Sequence, residues 1–348
     1  MDSNTDEKRS ETENYIFILP DVLLVRILSE LSWKDILNVR AVSRSFYNFI
    51  YENYYQLNRR EVYQVRIFYA KDFESCPFEL DLKFDSIRNY KSTNSNSWVK
   101  SIGIQSDEKL SSLLKIFDMR NLEYLSMEVD CNIDIFGIIN RSFQEGTKIE
   151  DLIIYGLSEK NLTSFKTFID KLLLVEDFSI LNICYHSTES KDVNPLSFIQ
   201  SLNITRSFLL YECNETRILS TDMVNNFLRR NPSVERFTIG SGNSEFMRNL
   251  FKEHFMLEQP HTIDNNLSCK KLRIRLEFYV SEYKQLSNIL ENDLYERENV
   301  QEVISIQNFP EYSKIESVIY CRHCPKDKHK IEIDATLEGV YLNTCDRL

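Results

Sequence analysis

Apolar residues between positions 15 and 60 fall at helical spacing. Leu23, Leu24, Ile27, Leu28 and Leu31 recur behind Pro20, whose missing N–H costs nothing in a first turn, and predict a short amphipathic helix. Ser32, followed three residues later by Asp35, is a capping signature that opens a second helix through Ile36, Val39 and Arg40. Ser43 caps a third helix carrying Phe46, Phe49, Ile50 and Tyr54. Three helices in about forty residues bury too little surface to cover all of these side chains, so the surplus implies a partner surface or a cap packed on the domain that follows.

Beyond residue 60 the period changes. A six-residue pattern recurs (apolar, often Glu, any, apolar, any, apolar) with clear copies beginning at Leu122, Ile149, Val175, Val234 and Ile315 and weaker ones at Val62, Val99, Thr205 and Cys269. Between copies the spacing is helical, as in Leu110, Leu113, Leu114 and Phe117, or Leu162, Phe165, Phe168, Ile169 and Leu172, or Met223, Phe227 and Leu228. Phe246, Leu250 and Phe251 mark a further helix, and Tyr283, Leu286, Ile289 and Leu290 another, with start signals at Ser158 and Ser220. A strand and then a helix, repeated, describes a parallel sheet backed by helices, with an irregular α+β domain as the alternative. Strand alternation puts the fourth and sixth pattern positions in the core and the third and fifth on the open face. The candidate binding strip on that face is Tyr124, Asp151, Tyr155, Asp177, Tyr211, Arg236, Lys271, Arg273 and Arg275, acidic in the middle and basic toward the C-terminal end. Each of these also fits a merely solvated residue.

Charge and cysteine content narrow the function class. Of the net charge of −11, the first fourteen residues hold five acidic and two basic side chains and residues 15–60 hold four and six, which leaves about −10 on the rest. That balance disfavours nucleic acid as the main partner. No run of eighteen apolar residues occurs and the start of the chain is polar, so the sequence predicts a soluble, intracellular protein without a membrane partner, cytoplasmic or nuclear. Eight scattered cysteines favour reduced, buried thiols over a disulfide framework.

Few constellations carry chemistry. Cys321, Cys324 and His329, with Asp334 as a fourth ligand, form a weak zinc candidate against the plainer reading of a strand ending in a turn, and no cofactor is expected. No phosphate loop, nucleophile elbow or complete glycine fingerprint occurs, and the recurring glutamates Glu123, Glu150, Glu176, Glu235 and Glu316 read as strand-entry residues. The sequence therefore points away from an enzyme.

Two resemblances organise these features. Leu19-Pro20 at the start, Asp35-Ile36-Leu37 in the middle and Val42-Ser43-Arg44-Ser45-Phe46 at the end resemble an F-box, the helical module by which substrate receptors dock on the Skp adaptor of cullin-type ubiquitin ligases. The resemblance implies adaptor contacts from Leu19, Pro20, Leu23, Leu24, Ile27, Leu28, Leu31, Ile36, Leu37, Val39, Val42 and Phe46. The later pattern, with most spacings between 23 and 37 residues, looks like a degenerate leucine-rich repeat, although the Asn or Cys ladder after each strand is mostly missing, with Asp130 and Leu157 in its place. Together they imply a disordered acidic tail over 1–14, an F-box over 15–60, and an irregular leucine-rich-repeat-like α/β solenoid over 61–348 that binds a protein target. Ubiquitin chemistry would then reside in RING and cullin partners, and this chain would be non-catalytic. The rivals are an adaptor-bound interaction protein outside a cullin ligase, and a zinc-dependent RNA- or protein-binding module.

Overall fold

The structure, a computed structural model, describes residues 15–69, 75–86, 100–128, 133–185, 199, 201–213, 216–256, 273–279, 283–295, 302–308, 312–320 and 330–338. The tail 1–14 lies outside them, as do Asp130, Lys271, Cys321, Cys324 and His329. The chain divides into two compact units, one running to Glu61 and including Lys115–Asp118, the other formed by the rest.

In the first unit the capping residues set three helices, α1 (Asp21–Ser29), α2 (Trp33–Val42) and α3 (Arg44–Asn53). Pro20 stands one residue earlier than the spacing implies, at the N-cap, because its carbonyl already accepts from Leu24 at 3.1 Å. Ser32 accepts from the Asp35 N–H at 3.3 Å and donates to the Asp35 carboxylate at 2.6 Å, and Ser43 accepts from the Phe46 N–H at 3.2 Å. Leu24, Leu28, Ile36, Phe49, Ile50 and Leu57 make the core, with Phe17, Val25, Leu31 and Val39 packed against it. After α3, the short strands β1 (Arg60–Glu61) and β5 (Phe117–Asp118) pair in parallel. Arg59 secures this pairing by donating to the Phe117 carbonyl at 2.7 Å and facing the Asp118 carboxylate at 3.7 Å, while the Lys115 ammonium lies 3.9 Å from the Tyr51 ring centre.

The second unit is built on one large open sheet. Its strands are β2 (Gln64–Tyr69), β3 (Phe78–Lys83), β4 (Lys100–Ile104), β6 (Asn121–Glu128), β7 (Thr147–Ile154), β8 (Leu157–Ser158) and β9 (Leu172–Cys184). They continue with β10 (Ile204–Glu212), β11 (Arg236–Ser241), β12 (Arg273–Tyr279), β13 (Glu302–Asn308), β14 (Tyr312–Tyr320) and β15 (Lys330–Glu338). The order across the sheet is β13-β14-β15-β12-β11-β10-β9-β7-β6-β2-β3-β4, with β8 beside β9. From β2 to β12, and on to β15, neighbours along this path run parallel, while β3, β4, β13 and β14 flank them as antiparallel strands. Helices α4 (Asp107–Leu114), α5 (Ile135–Ile139), α6 (Leu162–Ile169), α7 (Thr221–Arg230), α8 (Ser244–Met256) and α9 (Tyr283–Tyr295) fall between strands.

The alternation reading places the core correctly. Fourth-position residues Leu125, Leu152, Phe178, Phe208 and Phe237 lie side by side in register across five strands and are all buried, and Ile274 continues the row on β12. Phe208 packs between Phe178 and Phe237 at 5.8 and 5.5 Å, and Phe227 of α7 lies 4.3 Å from Phe208, so this helix backs the fourth-position side. Sixth-position residues Met127, Ile154, Ile180, Leu210 and Ile239 form the next buried row.

The structure departs from the sequence reading in four places. The copies at Val99 and Ile315 fall in β4 and β14, which run antiparallel, because a six-residue alternation encodes a half-buried strand but not its direction. The copy at Cys269 is displaced by two residues, since Ile274 and not Leu272 pairs with Phe237; a shift of two preserves the face. The third is Ser126, a fifth-position residue, which is buried. Finally, Cys184 and Cys213, expected as reduced thiols, are joined as a disulfide with Cα atoms 5.4 Å apart, because they close neighbouring strands that sequence separation keeps far apart. The expected solenoid appears here as a mixed α/β unit with an open sheet.

Candidate docking and recognition surfaces

Helix α1 has two apolar sides, and only one is used within its own unit. Leu24 and Leu28 are buried, while Ile18, Leu19, Val22, Leu23 and Ile27 are exposed, Val22 to 78% and Ile18 to 74%. Leu24 and Leu28 point roughly opposite to Val22 and Leu23 at 100° per residue. Among the twelve residues the resemblance implied as adaptor contacts, Leu19, Pro20, Leu23, Ile27 and Val42 are exposed, Leu31, Leu37 and Val39 are half-buried, and Leu24, Leu28, Ile36 and Phe46 are in the core of the unit. The last four hold the helices that present the others. Sequence reasoning missed Ile18 and Val22, which fall outside the leucine stripe; the signal was their apolar character at positions flanking a stripe already long enough to fill a small core.

On the large sheet, register brings most of the predicted strip together. Tyr124, Asp151, Asp177, Ser207, Arg236 and Arg273 are successive cross-strand neighbours from β6 to β12. The next row along the strands is Arg66, Ser126, Ile153, Ser179, Leu209, Thr238 and Arg275. Beyond it, on the same face, lie Phe68, Tyr155 and Tyr211, and the Tyr211 hydroxyl donates to Glu277 at 3.1 Å across Gly240, whose missing side chain leaves the path open. Lys271 lies outside the described residues.

The electrostatics of the strip are set by a residue the sequence reading passed over. β10 carries one extra residue against β9 between the pairs Ile204↔Val175 and Ser207↔Asp177, a bulge that re-aims Arg206 onto the strip. Its Nε donates to both Asp177 oxygens at 2.8 Å, Nη2 also reaches Asp177, and Nη1 lies 3.4 Å from Glu176. Arg236 reaches Asp177 at 3.5 Å. The signal in the sequence was an Arg in the slot where other copies hold Glu.

Asp151 sits beside this cluster without a hydrogen bond or ion pair among the described residues. Burial, and then the neighbouring charge of Asp177, push its carboxyl up to about 6, with Arg206 opposing. Burial, reinforced by Tyr124 and Glu128, likewise raises the Tyr155 phenol. At the basic end, Arg273 pairs in register with Glu332 and Arg275 with Asp334, so acidic residues of β15 stand opposite both. The zinc candidate is reduced to this same Asp334, since its other three members lie outside the described residues; among those described, no group of three or more His, Cys, Asp or Glu side chains could hold a metal.

Glu212 belongs to a different task. It is buried at the end of β10, where its Oε1 accepts from the N–H groups of Ile218 and Leu219 at 2.9 and 2.8 Å and its other oxygen accepts from the Ser241 hydroxyl. Burial raises its carboxyl against these donors. One carboxylate thus ties the turn after β10 to the end of β11.

Comparison with known proteins bears on the first unit. A search of curated proteins finds no match to the chain. A family model described as F-box-like matches residues 16–60, which span the three helices and the exposed apolar side of α1. The chain carries an F-box-like domain at its N-terminal end.

Proposed function

We propose that the chain is the substrate-recognition subunit of a Skp–cullin–F-box ubiquitin ligase, docking on the Skp-family adaptor through the F-box-like domain and binding a protein target through the large sheet. The observation that carries this reading is the exposed apolar side formed by Ile18, Leu19, Val22, Leu23 and Ile27 on a module of the F-box-like family. Exposed leucine, isoleucine and valine on so small a unit are a surface awaiting a partner. The strand–helix units are read as degenerate leucine-rich repeats, whose open face is where repeat proteins hold their ligands. In this role the chain supplies proximity and orientation while transfer chemistry belongs to the RING and cullin subunits. Such a receptor works in the cytoplasm or the nucleus.

The test is co-purification of the adaptor with the full chain. Val22→Asp and Ile27→Asp, on the exposed side, should abolish adaptor binding with the circular dichroism spectrum unchanged. Leu28→Asp, by contrast, should unfold the helical unit, because it buries a charge in its core. Adaptor recovery unchanged by Val22→Asp and Ile27→Asp together would refute docking through this side. Recovery of a cullin with the adaptor separates a ligase subunit from an adaptor-bound protein outside a cullin ligase.

A further inference from the structure

The middle row of the open face is low where its neighbours are tall. Ile153, Ser179, Leu209 and Thr238 follow one another across four strands, two of them small, and Ser126, which is buried, ends the row on β6. On one side stand Tyr155 and Tyr211; on the other stand Tyr124, Asp151 and the Asp177–Arg206 cluster. Rows of unequal side-chain length on a pleated sheet make a trough that crosses the strands. Four strands at about 4.8 Å span roughly 14 Å, the length of about four residues of extended chain. Ile153 and Leu209 remain half-buried in its floor, apolar side chains that an open sheet face has no need of.

The charge along the trough is uneven. Arg206 and Arg236 are spent on Asp177 and Glu176, and the acidic residues of β15 stand opposite Arg273 and Arg275. Asp151 has neither hydrogen bond nor ion pair among the described residues, and it borders the floor beside Ile153.

We propose that this trough takes an extended segment of a partner protein, with a lysine or arginine of that segment on Asp151 and its apolar side chains on Ile153 and Leu209. The proposal rests on the reading above that the sheet face captures targets, and names the chemistry it selects. A cation on Asp151 supplies the charge-assisted partner that the carboxylate lacks and offsets the repulsion from Asp177. An acidic segment would add a third negative charge at the same place.

The probe is a random hexapeptide library displayed on phage and screened on the immobilised full chain near neutral pH. The wild type should enrich peptides with one lysine or arginine flanked by apolar residues. Asp151→Lys should replace that preference with aspartate or glutamate, and a wild-type-selected peptide should lose about tenfold or more in affinity. Asp151→Asn, which cannot unfold the sheet by adding a charge, should weaken the same peptide in the same direction. The wild-type preference should also fade below about pH 6, as the free carboxyl takes up its proton. Peptides captured without a basic preference, or with an acidic one, overturn the proposal while leaving the face a recognition surface. No capture at all removes both. A wild-type dimer in sedimentation that Asp151→Lys dissociates would make the occupant a second copy of this chain, and the proposal would fall.

Discussion

Replacing Asp151 with Asn tests the electrostatics of the open face directly. The carboxyl is half-buried, has Asp177 as its cross-strand neighbour, and is pushed from an ordinary 3.8 up to about 6. A group whose folded value is raised stabilises the fold fully below its unfolded value and loses that contribution as pH rises through the folded one. For Asp151 the loss falls between about pH 4 and somewhat above pH 6. Acting in full, the displacement would amount to about 3 kcal/mol, but water reaches the side chain and screens it, so about 1 kcal/mol is the expected size. Urea unfolding followed by far-ultraviolet circular dichroism, which the large sheet dominates, should therefore show Asn gaining about 1 kcal/mol over the wild type between acid and mildly alkaline pH. The gain should be absent in acid, where the carboxyl is neutral in both states. A difference that stays flat with pH would show that water satisfies the carboxylate. One of opposite sign would show that Arg206 holds Asp151 as well as Asp177.

Other substitutions probe the remaining elements. Leu152→Ala and Phe237→Ala remove buried fourth-position side chains and should each cost roughly 2 to 5 kcal/mol in urea unfolding, whereas Thr238→Ala on the open face should stay within about 0.5 kcal/mol; equal costs would mean the faces are misassigned. Arg59→Ala removes the hydrogen bond to the Phe117 carbonyl and the ion pair with Asp118 from a site where Arg59 is only 6% exposed, and should cost the helical unit about 1 to 3 kcal/mol, read from the thermal transition of that unit. Glu212→Ala strands two backbone N–H groups and the Ser241 hydroxyl, about 1 to 3 kcal/mol by the same urea assay, while Glu212→Gln keeps an acceptor and should cost less; equal losses would show that the hydrogen bonds do not hold the turn.

How far the sequence could be read depended on what each pattern encodes. Alternation at period two sorts faces, and it placed Leu125, Leu152, Phe178, Phe208 and Phe237 in one buried row and Tyr124, Asp151, Asp177 and Arg236 in one open row. It says nothing of strand direction, so β4 and β14 carry the same pattern as the parallel series while running antiparallel to their neighbours. Chain connectivity decides direction, and the nine residues between Tyr320 and Lys330 leave no room for a helical crossover. The bulge at Arg206 and the approach of Cys184 to Cys213 are properties of two strands together, so neither strand carries a sign of them alone. In α1 the difficulty is different. Leu23, Leu24, Ile27 and Leu28 are equally apolar, and a helix apolar on two sides gives no periodic signal for which one its own unit covers.

The charge pattern shows how register changes the meaning of composition. Read along the chain, the strip runs from acidic to basic, and the basic end attracts attention because Arg273 and Arg275 are close together. Read across the sheet, each faces an acidic residue of β15, and Arg206, invisible as a strip residue, neutralises the acidic centre at Asp177. The ion pairs of Arg206 and Arg236 with Asp177 occupy charges that a partner could otherwise use. Asp151, without a hydrogen bond or ion pair among the described residues, is a smaller feature, one carboxylate beside an apolar floor. A net charge of −11 would lead one to expect a surface that draws any basic protein. Attraction between exposed charges is screened within about 10 Å, so discrimination falls to the groups that a partner must meet at contact.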